Sequence, residues 1–258
     1  MNDLIEIYNY REMIISLVKR DLKGRYKGSV LGFLWTFINP LMQLVVYTIV
    51  FSVIMRAGIK DYYMFLFVAL VPWIFFSTSI AGGANCIRAQ QSMVQKIYFP
   101  REVLPISFVT TQFINMMLSF IVVLLVAIVT GRKLSVFALL CLPVIWIVEY
   151  ILALGITLLT SAITVYFRDL EYLLGIITMA WQFLTPVMYS IDQVPKGYKW
   201  VFAFNPMTYV IVAYRDILYY GRVPNFTTLF SSVIIGILFL VVGWIVFRDL
   251  QKHFVEEL

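Results

Sequence analysis

Charge is scarce in this chain. Only 13% of its 258 residues are charged, about half the share of a soluble domain. With 62% hydrophobic residues and a mean hydropathy of +0.89, an ordinary soluble fold is excluded and the sequence reads as an integral membrane protein. Histidine is nearly missing: His253, in the C-terminal stretch, is the only one, which argues against a His-based metal site or a catalytic triad. Cys86 and Cys141 stand far apart without metal-type spacing, and each reads as a small buried hydrophobe. No G-x-x-x-x-G-K-[ST] loop occurs, so this chain does not hold a nucleotide by that device and the energy for any work comes from elsewhere. No cleavable signal peptide is apparent, because the first apolar run begins near Val30 behind a long charged segment. There is no period of 20–50 residues and no obvious inverted repeat, which weakens a secondary-transporter reading.

The length leaves room for about six helices with short connections, so one membrane domain, 1–258, with no large soluble part is the economical expectation. The net charge of +6 does not point to nucleic acid, since Lys and Arg gather at the ends of apolar runs, where the positive-inside rule places them. In residues 10–27 the apolar positions Tyr10, Met13, Ile14, Leu17, Val18 and Leu22 recur at helical spacing opposite Glu12, Lys19, Arg20, Lys23 and Lys27, the pattern of an interfacial helix or of a basic topology flank. Spans follow at 30–55, 62–84, 106–130, 136–165, 170–189 and 228–247. Asn39-Pro40 is expected to kink the first, with Asn39 and Gln43 directed at another helix or a pathway rather than at lipid. Between spans two and three, 88–103 leaves the membrane, and Met93, Val94, Ile97 and Tyr98 make a short apolar face with nothing of its own to pack against, which suggests docking to a partner or a solvated connector whose apolar side rests on lipid headgroups. Glu149 lies inside the fourth span and should face the bundle, with a structural hydrogen bond the safer reading.

The stretch from Tyr166 to Gly221 organises the rest. A Phe167-Arg168-Asp169 corner leads into span five, and the sequence after it is too apolar for a loop and too interrupted for a span. Pro195, Gly197 and Asn205-Pro206 cut it, and Met207–Tyr220 would be only ~21 Å long as a helix, against a hydrocarbon core of ~30 Å. Residues 195–221 are therefore expected to be re-entrant, forming the mouth or lid of a pathway, since irregular backbone at membrane depth persists only where protein or water satisfies it. Six crossings put both ends on one side. The segments at 11–27, 88–101, 168 and 248–252 hold 12 of the 20 basic residues, which places them in the cytosol.

Five pieces carry a family resemblance: KRDLKGRYKGSVLGFLWTFINPL at 19–41, QKIYFPREVLP at 95–105, VYFRDLEYLLG at 165–175, FLTPVMYS at 183–190 and FNPMTYVIVAYRDILYYG at 204–221. In this order and spacing they resemble the permease subunits of type-2 ABC exporters, in the branch that exports O-antigen, capsule and teichoic acid. The resemblance implies an all-α membrane protein of six spans with an N-terminal amphipathic surface helix, a cytosolic coupling helix and re-entrant outer helices between spans five and six. It implies a homodimer in the bacterial inner membrane, both termini cytosolic, served by two separate ATPase subunits that bind ATP and Mg, with no cofactor or metal in this chain. The ATPase would meet the 10–27 helix and the coupling residues Met93, Val94, Ile97, Tyr98, Pro100, Arg101 and Glu102, with Phe167, Arg168 and Asp169 as a second corner. Pro186, Asn205, Pro206 and Arg215 would form the outer gate, Arg215 needing a carboxylate, carbonyl or headgroup partner. The expected cargo is an undecaprenyl-pyrophosphate-linked polysaccharide. Lys23, Arg25 and Lys27 are candidates for its pyrophosphate by charge and position only, and Trp73, Trp181, Phe183 and Tyr189 for its sugars, against the default of an aromatic belt. A drug or small-lipid exporter is the nearest alternative, and the IYFPRE-type loop and aromatic content lean against it. An enzyme acting on lipid-linked sugars would need clustered carboxylates or a metal set at the membrane face, whereas Asp21, Glu102, Asp169 and Glu171 are scattered in sequence.

Overall fold

The computed structural model describes residues 2–26, 31–56, 58–132 and 134–258, and every α-, 3-10 or π-type element among them is helical, with no strand. In chain order the α-helices are α1 (Asn2–Asn9), α2 (Arg11–Tyr26), α3 (Trp35–Thr48), α4 (Tyr62–Gly83), α5 (Gln91–Lys96), α6 (Val103–Val129), α7 (Val136–Leu139), α8 (Leu142–Tyr166), α9 (Leu170–Leu184), α10 (Lys199–Phe204), α11 (Pro206–Leu218), α12 (Phe226–Leu250) and α13 (Phe254–Glu257). Among the described residues five stretches are long and apolar enough to cross a membrane: Trp35–Ile54, Tyr62–Gly83, Val103–Val129, Val136–Tyr166 and Phe226–Glu257. The chain is a multi-pass membrane protein.

Proline decides several boundaries. The α-helical run of α3 continues through Pro40, and its departure from α geometry comes later, as a π-helical segment at Ile49–Ile54. Helix α6 begins at Val103, three residues before the expected 106, because Pro105 falls in its first turn, where a missing N–H costs nothing. The expected continuous span 136–165 is broken after Leu139 and resumes at Leu142, since Pro143 cannot supply the N–H that would carry the ladder through. The expected 170–189 span is cut to α9, 15 residues or ~22 Å. Thr185 precedes Pro186 and is held in extended geometry, φ −107° and ψ 138°, as the pre-proline position demands.

Helix α4 is apolar on all sides, a pattern that both a protein core and lipid accept, and most of its residues are buried. It is enclosed by α3, α6, α8, α9 and α11, with Phe65, Phe67, Leu70 and Phe76 at the centre of the main apolar core. Helices α8 and α12 approach most closely where glycines meet: a Cβ on Gly243 would collide with the Gly155 carbonyl, and one on Gly155 with the Leu240 backbone nitrogen. A second, smaller core lies at the end of the bundle that carries both chain termini. Leu17, Ile87, Val94, Phe99, Leu104, Phe247 and Phe254 are buried there together, with Tyr10, Met13 and Ile14 of the N-terminal segment against them. The apolar face of α2 is thus spent on the protein's own helices, with Leu17 and Val18 both buried.

Candidate functional sites at the two ends of the bundle

The end away from the termini is built around the interrupted backbone after α9. When a helix stops at membrane depth the carbonyls of its end and of the turn beyond it need donors, and here side chains of α4, of α11 and of the residue that precedes α11 supply them. Asn205 Nδ2 donates to the Leu184 carbonyl at 3.0 Å and to Thr185 Oγ1 at 2.8 Å. Tyr62 donates its hydroxyl proton to the Met188 carbonyl at 2.7 Å. Arg215 donates to the carbonyls of Val187 at 2.7 Å and Tyr189 at 3.1 Å. Its guanidinium also lies 3.5 Å from the centroid of the Phe65 ring, so the cation is held by carbonyl dipoles and an aromatic face with 4% of the residue exposed. Of the partners open to it in sequence, Arg215 takes carbonyls.

Asn205 also starts α11: its Oδ1 accepts from the Met207 backbone N–H at 3.0 Å and from Trp181 Nε1 at 3.1 Å. An Asn N-cap followed by Pro at the first helical position is a favoured helix start. Pro186 is buried in the turn after α9. Helix α11 itself is buried along most of its length, including Met207, Val210, Ile211, Ala213, Tyr214, Ile217 and Leu218. Within one chain it is therefore internal packing and not a lid lying over the outside, because its apolar residues find α4, α8 and α12.

Asp216 was not singled out by sequence and is buried beside Arg215. It pairs with Arg222, whose Nη2 is 2.7 Å and Nε 2.8 Å from Oδ1. Its signal is a carboxylate one residue from a buried arginine, with a second arginine six residues on. A third arginine, Arg132, ties neighbouring turns, donating to Asp61 Oδ2 at 2.8 Å and to the Tyr219 carbonyl at 2.9 Å. Deeper in the bundle Glu149 is fully buried and accepts the Tyr214 hydroxyl at 2.5 Å, a structural hydrogen bond between α8 and α11.

The four aromatic candidates are not equivalent. Trp73 is 2% exposed and packs against Phe76 inside the core, so its ring meets no open surface in this conformation. Trp181 is half-buried, edge-on to Phe76. Tyr189 is half-buried and donates to the Phe183 carbonyl at 2.6 Å, while the Phe183 ring is 56% exposed.

At the terminal end the expected single apolar face of the 88–103 segment is divided. Met93 and Val94 turn inward onto the smaller core, while Ile97 adopts extended backbone and stands exposed with Tyr98. The helical phase that would have aligned all four ends at Lys96, so the expectation that this segment has nothing of its own to pack against is corrected. The N-terminal helices and the C-terminal segment both brace it. Tyr10 donates to the Tyr98 carbonyl at 3.4 Å, Arg101 donates to the Gln251 carbonyl, and Gln251 Nε2 donates to Glu102 Oε1 at 2.7 Å. A half-open cavity of about 410 Å³ results, with Ile7, Lys96, Ile97, Pro100, Arg101 and Arg248 among its walls. Pro100 closes the turn between α5 and α6.

Phe167, Arg168 and Asp169 form the turn from α8 into α9, with Phe167 exposed. Two residues on, Glu171 accepts from Asn85 at 3.1 Å and lies 3.9 Å from Arg88, so this corner is fastened to the start of the 88–103 segment. Asp21, Glu102 and Glu171 each have a separate partner, in Arg20, Gln251 and Asn85. Lys23 is exposed on α2. Lys27 and the side chain of Arg25 lie outside the described residues. Burial pushes the Cys86 thiol well above the ordinary thiol range, in keeping with a packing role.

The chain is similar in sequence to known proteins along nearly its whole length. It is 36% identical over 255 residues to "O-antigen export system permease protein RfbA" of Myxococcus xanthus, covering 98% of each chain. It is 31% identical over 247 residues to the Klebsiella pneumoniae protein of that name, covering 96% of this chain and 95% of the other. Its identity to "Polysialic acid transport protein KpsM" of Escherichia coli is 23% over 243 residues, 92% of this chain and 93% of the other. A family model described as ABC-2 type transporter matches residues 12–219. Taken with a multi-pass helical bundle braced at both ends, that match makes this chain a member of the ABC-2 type transporter family, a permease of a type-2 ABC exporter.

Proposed function

We propose that this chain is the membrane permease through which a lipid-linked polysaccharide, of the undecaprenyl-pyrophosphate type, leaves the cytosol across the bacterial inner membrane. The observation that carries this reading is the 36% identity, over 98% of both chains, to a protein named as an O-antigen export permease. Two copies enclose the path and two separate ATPase subunits drive it. The terminal end is cytosolic. There the exposed Ile97-Tyr98 edge, the neighbouring cavity and the Phe167-Arg168-Asp169 turn receive the ATPase, and Lys23, Arg25 and Lys27 meet the pyrophosphate. The opposite end is outer, with α10 and α11 as re-entrant helices and Pro186, Asn205, Pro206 and Arg215 fixing the exit.

In this reading α9 also crosses, as the fifth span in chain order, which brings the crossings to six. Its ~22 Å is completed by the non-helical turn through Tyr189, and four carbonyls of that region, those of Leu184, Val187, Met188 and Tyr189, are satisfied by Asn205, Arg215 and Tyr62. Trp181, Phe183 and Tyr189 offer sugar-ring faces, while Trp73 supports them from within the core. Purification from native membranes in mild detergent tests the whole reading. The expected result is a P-loop ATPase at about one per permease together with a polyprenyl-pyrophosphoryl glycan. Recovery of a drug-sized or simple lipid cargo in place of the glycan, or of neither partner, overturns it.

A further inference from the structure

Three spans contribute polar side chains to one groove on the flank of the bundle. It holds about 240 Å³ and is half-open, lined by Thr36 and Asn39 of α3, Thr78 of α4, and Gln112, Asn115 and Ser119 of α6. Trp35 stands at the rim, 49% exposed. The groove lies within the expected bilayer. Asn39 is one turn in from Trp35, and Gln112 and Asn115 are about 13 to 18 Å along α6 from its start at a rise of about 1.5 Å per residue. Polar side chains at this depth usually serve as glue between helices. That role accounts for Ser119, whose hydroxyl donates to the Asn115 carbonyl at 2.9 Å and approaches the Thr36 carbonyl at 3.4 Å. It does not account for Asn39, which is exposed. Gln43 donates to Asn39 Oδ1 at 3.2 Å, which steadies the carboxamide and leaves its N–H donors for another acceptor. Hydrocarbon supplies none.

The chemistry of the lining selects its occupant. Among the described residues no charged side chain lines the groove, so a phosphate would find no cation among them. Carboxamides and hydroxyls both donate and accept, as hydroxyl-rich rings require, and the exposed indole offers an apolar face to the C–H side of such a ring. The volume falls below the ~300 Å³ at which sites for drug-sized ligands begin, which suits a single ring. We propose that this groove is a carbohydrate subsite, holding one sugar ring of the cargo beside the bilayer that keeps its lipid. The inference rests on the reading of the chain as a glycan permease and adds where one sugar of the cargo is held.

The test places the photocrosslinker p-benzoylphenylalanine in place of Ile74, which lines the groove, and, as a control, in place of Ile245, an exposed α12 residue, in cells assembling the native glycan. After irradiation, a carbohydrate-staining adduct is expected at position 74 and not at 245. Asn39→Leu lowers its yield about tenfold, which corresponds to ~1.4 kcal/mol. Thr78→Val, nearly isosteric, gives the same direction of change and serves where Asn39→Leu does not reach the membrane. An adduct to a second copy of this chain, an adduct to phospholipid alone, or a glycan adduct indifferent to both substitutions overturns the subsite while wild-type cells still display the glycan. If deleting the gene leaves surface glycan unchanged, the permease reading falls, and the subsite with it.

Discussion

Arg215 shows how a cation can be buried without a carboxylate partner. The neighbouring Asp216 is committed to Arg222, and Arg215 faces carbonyls and a phenyl ring. This arrangement needs a planar fork that reaches two carbonyls at once, which lysine lacks. Arg215→Lys is therefore expected to orphan at least one buried carbonyl, costing about 1–3 kcal/mol, and to lower the thermal unfolding midpoint of the detergent-solubilised protein. An unchanged midpoint would mean that the turn after α9 holds its shape without the guanidinium. The sequence made Arg215 legible as a residue in need of a partner, because a lone arginine in an apolar stretch is costly. It did not reveal which partners, because the carbonyls of Tyr189, Val187 and Phe65 lie 26, 28 and 150 residues away along the chain. Trp73 shows the converse: an aromatic in an apolar run looks the same whether it lines a path or fills a core, and only packing against Phe76 separates the two.

At the scale of elements, the contact between α8 and α12 depends on the absence of side chains. Gly155 and Gly243 meet backbone to backbone, the close approach that small residues allow between membrane helices. Gly243→Val would force the helices apart or push the Gly155 carbonyl aside. The expected outcome is a loss of several kcal/mol, in the range of severe packing defects, read as aggregation on size-exclusion chromatography. Gly175, with open space at its missing Cβ, is the matched control, and Gly175→Ala should elute like wild type. Span existence was readable from hydropathy, and the ends moved where proline sat. Pro105, Pro143 and Pro186 each set a boundary, in the first turn of α6, the first turn of α8 and the stop of α9. The fate of the apolar side of α2 was not readable, since a helix that rests on lipid and one that rests on α6 show the same periodicity.

For the whole molecule, the terminal end joins three parts distant in sequence: the N-terminal helices, the 88–103 segment and the C-terminal segment. Ile97 and Tyr98 are exposed on this platform while Met93 and Val94 belong to its core. The two pairs should therefore respond differently to an introduced charge. Ile97→Glu is expected to reduce the co-purified ATPase at least tenfold, a change of ~1.4 kcal/mol, while leaving permease levels in the membrane unchanged. Val94→Glu should lower permease levels themselves, because it buries a carboxylate without a partner. Equal ATPase recovery with Ile97→Glu and wild type would move the docking surface elsewhere on the platform.

By itself the sequence determined that this is a multi-pass helical membrane protein without a nucleotide loop of its own, and that 195–221 is interrupted. Those properties follow from composition, run length and the backbone chemistry of proline and asparagine, all local. Tertiary structure alone decided that α11 is internal packing, that Asn205, Arg215 and Tyr62 cap the turn after α9, that Met93 and Ile97 part company, and that amides and hydroxyls from three spans line one groove. Each of these depends on which side chains meet across tens of residues, and burial and hydrogen-bond satisfaction are set by that meeting rather than by the order of residues along the chain.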